Sequence, residues 1–195
     1  MRKISKVKLT VVLILVISLI LTYFIMFFYI NNLYPQSKRI IYEFGKAFVV
    51  QNAEFTITDA DLLKKDDIEK DAGMVEILED NSGYLSEKDL NLALIDMVIK
   101  NPTKETIYLD LTAFHFESGA FSLQFYFPLM IYYNDCGMYI ELNGEEEKNI
   151  KVPIPISANH FLNYNIENIK DRNYYFVCSL YPKKIMAEIK FNNGN

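Results

Sequence analysis

The chain has 195 residues, of which 25 are acidic and 20 basic, with two His, two Cys, no Trp and a formal net charge of −5. Arg2, Lys3, Lys6 and Lys8 precede every acidic residue, so beyond residue 30 the balance is 16 basic against 25 acidic, or −9. Such a body offers no general attraction to nucleic acid or to an anionic lipid or polymer surface, and leaves room only for a small local basic patch.

Residues 1–8 form a basic tail. Leu9 to Ile30 is an uncharged apolar run of 22 residues. As a helix it is about 33 Å long, enough for the roughly 30 Å hydrocarbon layer of a bilayer. A cleavable secretory signal has a shorter apolar part and ends at a small-x-small site, which Tyr23-Phe24-Ile25-Met26-Phe27-Phe28-Tyr29-Ile30 does not supply. Residues 9–30 are therefore expected to be a transmembrane helix, with the lipid bilayer as its partner. The four cations on one flank favour a cytoplasmic N-terminus and place the rest of the chain outside the cell, as a single-pass protein of the cell membrane. Thr10, Ser18 and Thr22 can return hydrogen bonds to their own helix backbone.

Residues 31–39 read as a short polar stalk in which Pro35 stops the helix. The remainder, 40–195, is expected to be one extracytoplasmic domain. Ala47 to Val50 and Glu54 to Thr58 are strand-like, and the polar stretch Asp59 to Asp71 is expected to be a short helix or an ordered loop. Leu92 to Lys100 is apolar on nearly both faces, as the middle strand of a packed sheet is. After the Asn101-Pro102 turn, Thr106 to Phe116 switches its apolar face at Ala113, which predicts a bulge or a strand passing between packing partners. Phe121 to Leu129, Ile150 to Ile156 and Ile185 to Phe191 alternate with period two. Pro153 and Pro155 lack backbone donors, so their segment must lie at a sheet edge or leave the ladder. Ala158 to Lys170 allows one or two helical turns. Many short strands without a helix of ten residues between them predict an all-β fold, an antiparallel β-sandwich of immunoglobulin-like type behind the N-terminal transmembrane helix, with a small barrel as the alternative.

Candidate chemistry is sparse, and no catalytic, metal or cofactor-binding residues are expected. Cys136 in a loop and Cys178 in a strand are the one candidate disulfide, closing a loop of about 42 residues; the alternative is a buried Cys178 and an unrelated loop thiol. There is no Cys-x-x-Cys pair for zinc or redox work, no Gly-x-Ser-x-Gly elbow and no glycine-rich phosphate loop. His115, between two Phe in a strand, reads as structural; His160, beside Asn159 in a connection, is more open to function. Asp59, Asp61, Asp66, Asp67, Asp71, Glu76, Glu79 and Asp80 are numerous enough for carboxylate hydrolysis or calcium binding, but their spacing selects no pair and lacks the EF-hand pattern. Asp96 and Asp110 interrupt apolar strands and are expected on the wetter face or satisfied by backbone donors. Among the body tyrosines 126, 132, 133, 139, 164, 174, 175 and 181, some should be exposed; Tyr132, Tyr133, Tyr174 and Tyr175 are candidate interface aromatics.

The segments Leu94 to Thr103, Leu109 to Phe114 with Ser118 to Ser122, and Tyr181 to Lys184 resemble those of small extracytoplasmic proteins of low-GC Gram-positive bacteria. These proteins carry a domain of unknown function behind one anchoring helix, and that domain looks like a relative of the immunoglobulin-like domains. The resemblance spans residues 41 to 191, concerns folding motifs, and implies no catalytic or binding residue. The expectation is an uncharacterised, non-enzymatic interaction module that binds a membrane or cell-envelope protein or another envelope component, with no role in binding nucleic acid. The alternatives are a small envelope hydrolase using the acids of 59–80 and a carbohydrate-binding surface of exposed tyrosines.

Overall fold

A computed structural model describes residues 6–35, 37–80, 84–87, 89–160, 169 and 172–192. The chain divides into two compact units, Met1–Ser37 and Lys38–Asn195. In the first, a single helix α1 (Lys6–Leu33) carries an apolar, solvent-facing stretch from Thr10 to Leu33 that is long and apolar enough to cross a membrane. Inside it Thr22 Oγ1 donates to the Ser18 carbonyl at 2.9 Å, as its sequence position allows. The helix runs three residues beyond Ile30, because the Asn31 carboxamide donates to the Phe27 carbonyl one turn back at 2.9 Å.

The second unit is mostly β-sheet. Its strands are β1 (Lys38–Tyr42), β2 (Phe48–Val50), β3 (Ala53–Lys64), β4 (Asn91–Lys100), β5 (Ile107–Asp110), β6 (His115–Ser118), β7 (Phe121–Leu123), β8 (Tyr139–Leu142), β9 (Glu147–Ile156), β10 (Tyr174–Ser179) and β11 (Lys183–Ile189). Helices α2 (Lys65–Ile68), α3 (Ala72–Asp80) and α4 (Phe127–Asn134) lie between them. The sheets are ordered β1-β11-β10-β6-β7, β2-β3-β4-β9 and β5-β8. All three feed one core, which Phe48, Phe55, Phe114, Phe116, Tyr174 and Phe176 fill with stacked and edge-on rings.

Strand β4 is buried on both faces for a reason visible in its partners. Ala93, Ile95, Met97 and Ile99 enter the main core, whereas Leu92 and Leu94 enter a second cluster with Ile68, Met74, Leu78 and Leu129 under the helices. At roughly 1.5–3 kcal/mol for each fully buried large side chain, this strand anchors both clusters. Strand β9 lies at the sheet edge, where the prolines require it, with Pro153 opposite Leu94 and Pro155 opposite Leu92.

The structure departs from the expected elements in four places. The ladder is not wholly antiparallel: β1 pairs parallel with β11, Lys38 facing Lys183 through Tyr42 facing Ala187. Residues 59–64 belong to β3, which follows β4 to its end after a register shift between Ile57 and Asp59, and only 65–68 turn helical. The alternating run from Phe121 is strand only to Leu123; with Pro128 in its first turn, α4 takes over at Phe127. Helix α3 forms because Asp71 Oδ1 accepts the Gly73 and Met74 amides at 3.0 and 3.1 Å, capping its first turn while Met74 and Leu78 are buried. The face switch after Leu111 is the crossing from β5, in the small sheet, to β6, in the large one. Of the stretch from Ala158 to Lys170, a single 3-10 turn at Ala158–His160 and Ile169 are described, and the rest, with Tyr164, lies outside the described residues.

The Asn101-Pro102 turn is a buried polar knot. Asn101 is fully buried, and its Nδ2 donates to the carbonyls of Glu105, Leu142 and Asn143 at 2.7, 3.2 and 2.8 Å. Its Oδ1 accepts the Thr103 amide and hydroxyl at 2.9 and 2.8 Å. Gly144 packs so closely on the Lys104 backbone that a Cβ there would overlap it. Asn101→Ala is expected to lower the unfolding free energy of the detergent-solubilised chain by about 3 kcal/mol in urea titration, since it strands several buried carbonyls and amides at once.

Candidate functional site

The acids of 59–80 serve separate local structures. Asp59 Oδ1 and Asp61 Oδ1 both accept the Asn192 carboxamide, at 2.7 and 3.0 Å. Asp67 pairs with Lys70 at 2.7 Å, and the hydrogen bond from this lysine holds the Asp67 carboxyl below its usual range. Asp71 caps α3 and accepts Tyr132 Oη at 3.0 Å. Glu76 and Glu79 are solvent-exposed. Among the described residues no three His, Cys, Asp or Glu side chains group as metal ligands.

Cys136 and Cys178 are both free thiols in the structure. Cys178 is a buried core residue of β10, and burial pushes its thiol well above the ordinary value; Cys136 is half-buried in the α4–β8 connection, its thiol raised by the same cause. The four candidate interface tyrosines also separate. Tyr174 is 1 % exposed and donates to the Ile169 carbonyl at 2.6 Å, which makes it core, with its hydroxyl pushed up to about 12 by burial. Tyr175, its neighbour on β10, is half-buried. Tyr132 and Tyr133 stand on α4 with rings inclined at 72°, so they form no flat platform for a sugar ring. Tyr133 Oη contacts Met74 Sδ at 2.9 Å, and burial pushes this hydroxyl up to about 12.

Asp96 is satisfied by an ion pair, with Lys151 Nζ 3.1 Å from its Oδ1 and 5.9 Å from the Tyr133 ring centroid. These three groups line a cleft of about 340 Å³ beside α4 and β9. Asn134 closes its far side by a two-point grip on the edge strand: Nδ2 donates to the Lys151 carbonyl at 2.8 Å, and Oδ1 accepts the Lys151 amide at 2.6 Å. Gln51 does the same to β5, donating to the Asp110 carbonyl and accepting its amide, each at 2.9 Å.

Among the described residues of the second unit, the most solvent-facing tyrosines stand on the outer side of β5 and β8. Leu109, Ile140 and Leu142 point into the core, which by strand alternation turns Tyr108, Asp110, Tyr139 and Glu141 outward. Tyr108 faces Glu141 and Asp110 faces Tyr139, so two rings occupy one diagonal and two carboxylates the other. Tyr108 is 74 % exposed and Tyr139 71 %. Asp110 accepts the Thr112 hydroxyl and amide at 2.6 and 2.8 Å, and these bonds hold its carboxyl below the usual range. A shallow cleft of about 280 Å³ lies along this face. The sequence carried the signal for it, because Tyr108 sits between Ile107 and Leu109 in a period-two strand.

No protein-family model matches the chain, and no curated protein matches it. Among solved structures, the yjhA protein of Bacillus subtilis is similar over 77 % of this chain and 99 % of its own, at 11 % identity and a TM-score of 0.43. The ycdA protein of Bacillus subtilis is similar over 74 % of this chain but 38 % of its own, at 14 % identity and a TM-score of 0.46. An uncharacterised β-sandwich protein of Clostridium difficile is similar over 80 % and 98 %, at 13 % identity and a TM-score of 0.42.

Of the two histidines, His115 lies 3.6 Å from Glu117 and 3.3 Å from the Ala113 carbonyl. His160 Nδ1 accepts the Ser157 amide at 3.0 Å, and its ring stacks on Phe121. That bond requires an unprotonated Nδ1, and burial lowers the pKa of this histidine against an opposing pull from Glu87. A folded-state pKa below the unfolded one gives stability that is present above about pH 6.5 and is lost as pH falls through the folded value. Thermal unfolding is therefore expected to lose more stability between pH 7 and pH 5 in the native chain than in a His160→Gln variant.

Proposed function

We propose that the chain is a membrane-anchored, extracytoplasmic, non-catalytic interaction module that binds a protein of the cell envelope through the outer face of β5 and β8. The observation that carries the reading is the register that sets exposed Tyr108 directly opposite Glu141 and exposed Tyr139 directly opposite Asp110, with the two rings diagonal to each other. Tyrosine faces attract cations, carboxylates pair with guanidinium or ammonium groups, and tyrosine is enriched in protein interfaces. The partner segment is accordingly basic. The anchor in this reading is α1, held with its N-terminus in the cytoplasm by the four cations before residue 9. The domain belongs, on the same reading, to the immunoglobulin-like group that its sequence resembles.

A photo-crosslinking amino acid in place of Tyr139, in the full chain in its native membranes, is expected to give a discrete protein adduct that disappears with Tyr108→Ser or Glu141→Lys. The same probe replacing Ile131, exposed on α4, is expected to give none. Equal adducts at both positions, or adducts only between copies of the chain, count against the surface. Protease added to intact cells is expected to remove residues 38–195 and spare the anchor; a body protected until the cells are lysed refutes the orientation.

A further inference from the structure

We propose that the end of the domain formed by the β10–β11 turn and the start of β1 is a second contact surface, and that it rests on a bilayer bearing anionic headgroups. This inference depends on the anchor reading above. The parallel register sets Lys38 beside Lys183 and Arg39 beside Lys184, which brings the first residues of β1 next to the turn made by Leu180, Tyr181 and Pro182. Leu180 is 55 % exposed and Tyr181 70 %. Together with Val49, which is 57 % exposed on β2, they line an open cleft of about 650 Å³.

On the β1–β11 side of this apolar tip the charges run against the rest of the body, while Glu54 lies across from Val49. Lys184 is held by Glu117, with Nζ 2.6 and 2.7 Å from the carboxylate oxygens. Lys38, Arg39 and Lys183 are exposed and have no acidic partner among the described residues. In a body whose overall charge is −9, three uncompensated cations flanking Leu180 and Tyr181 form a local surface of opposite character. Tyrosine favours the headgroup level, lysine and arginine reach from apolar surroundings to the polar layer, and basic segments next to a membrane are drawn to anionic lipid.

Covalent reach supports the same occupant. Only residues 34–37 separate Leu33, the last of α1, from Lys38, the first of β1. Five Cα–Cα steps extend to at most about 18 Å. A helix end in the outer headgroup region thus keeps the basic start of β1, and with it the Leu180–Tyr181 turn, within reach of that layer.

The chain contains no tryptophan, so a single substitution creates its only indole. The test compares Tyr181→Trp, Phe27→Trp and Ile131→Trp full chains, reconstituted in vesicles of phosphatidylcholine alone or mixed with phosphatidylglycerol, with and without brominated acyl chains. Tyr181→Trp is expected to emit at shorter wavelength and to be quenched by brominated lipid, more strongly in the mixed vesicles. Adding Lys183→Gln or Arg39→Gln is expected to weaken this contact about fivefold for each charge removed. Ile131→Trp is expected to be unaffected. Quenching of Phe27→Trp with none of Tyr181→Trp overturns this proposal and leaves the anchor standing; no quenching of Phe27→Trp overturns the anchor and the proposal with it. A blue shift of Tyr181→Trp without quenching indicates burial against protein, such as a second copy, and also overturns it.

Discussion

Strand β4 is the constraint on which the domain is built. It pairs along all ten residues with β3 on one edge and β9 on the other, and it is covered on both faces. Ala93, Ile95, Met97 and Ile99 lie in the main core and Leu92 and Leu94 in the cluster beneath α2, α3 and α4, so one strand fixes the sheet, both cores and the seats of the helices. Its far end is fastened by Asn101, whose carboxamide binds the turn after β4 to the turn between β8 and β9. The small β5–β8 sheet, with its outward tyrosines, therefore takes its position from the end of β4.

Two exposed edges, those of β9 and β5, are treated chemically. Strand β9 has two prolines that withdraw donors, and the Pro153 carbonyl accepts the Tyr126 amide at 2.9 Å. Asn134 and Gln51 each engage one residue of an outer strand with a donor and an acceptor, imitating the backbone of a further strand. Occupied in this way, these edges no longer present open ladders for another chain to extend. The contact proposed for the outer face of β5 and β8 accordingly uses a side-chain face and not a strand edge.

Much of this was legible because it rests on short-range pattern. The double-sided β4, the edge position of Pro153 and Pro155, and the handover between sheets after Leu111 all follow from alternation and from proline's missing donor. Parity along β10 also carried the correct position of Tyr174, which shares the face of Phe176 and Cys178 and is core with them. What misled was alternation without tertiary context: Phe121 to Leu129 has the period of a strand, yet Pro128 is suited to a helix's first turn and α4 replaces the strand's second half. Asp59 to Lys64 reads as part of a short helix or an ordered loop, but the pairing demand of β4 draws it into β3. The parallel pairing of β1 and the diagonal arrangement of Tyr108 and Tyr139 depend on partners remote in sequence, which no local period encodes.

The pairing of β1 with β11 has a consequence for how the protein is made. β1, the strand that follows the apolar helix in sequence, pairs with Lys183 to Ala187 of β11 and with no earlier strand among the described residues. During synthesis β1 stays unpaired until β11 has emerged. The five-stranded sheet that contains it is therefore complete only once β11 is present, whatever order the other strands follow. A truncation that removes β11 would leave that first strand without its neighbour and would open the flank of β10, a defect a nascent-chain quality-control system can sense in a protein that is otherwise largely assembled.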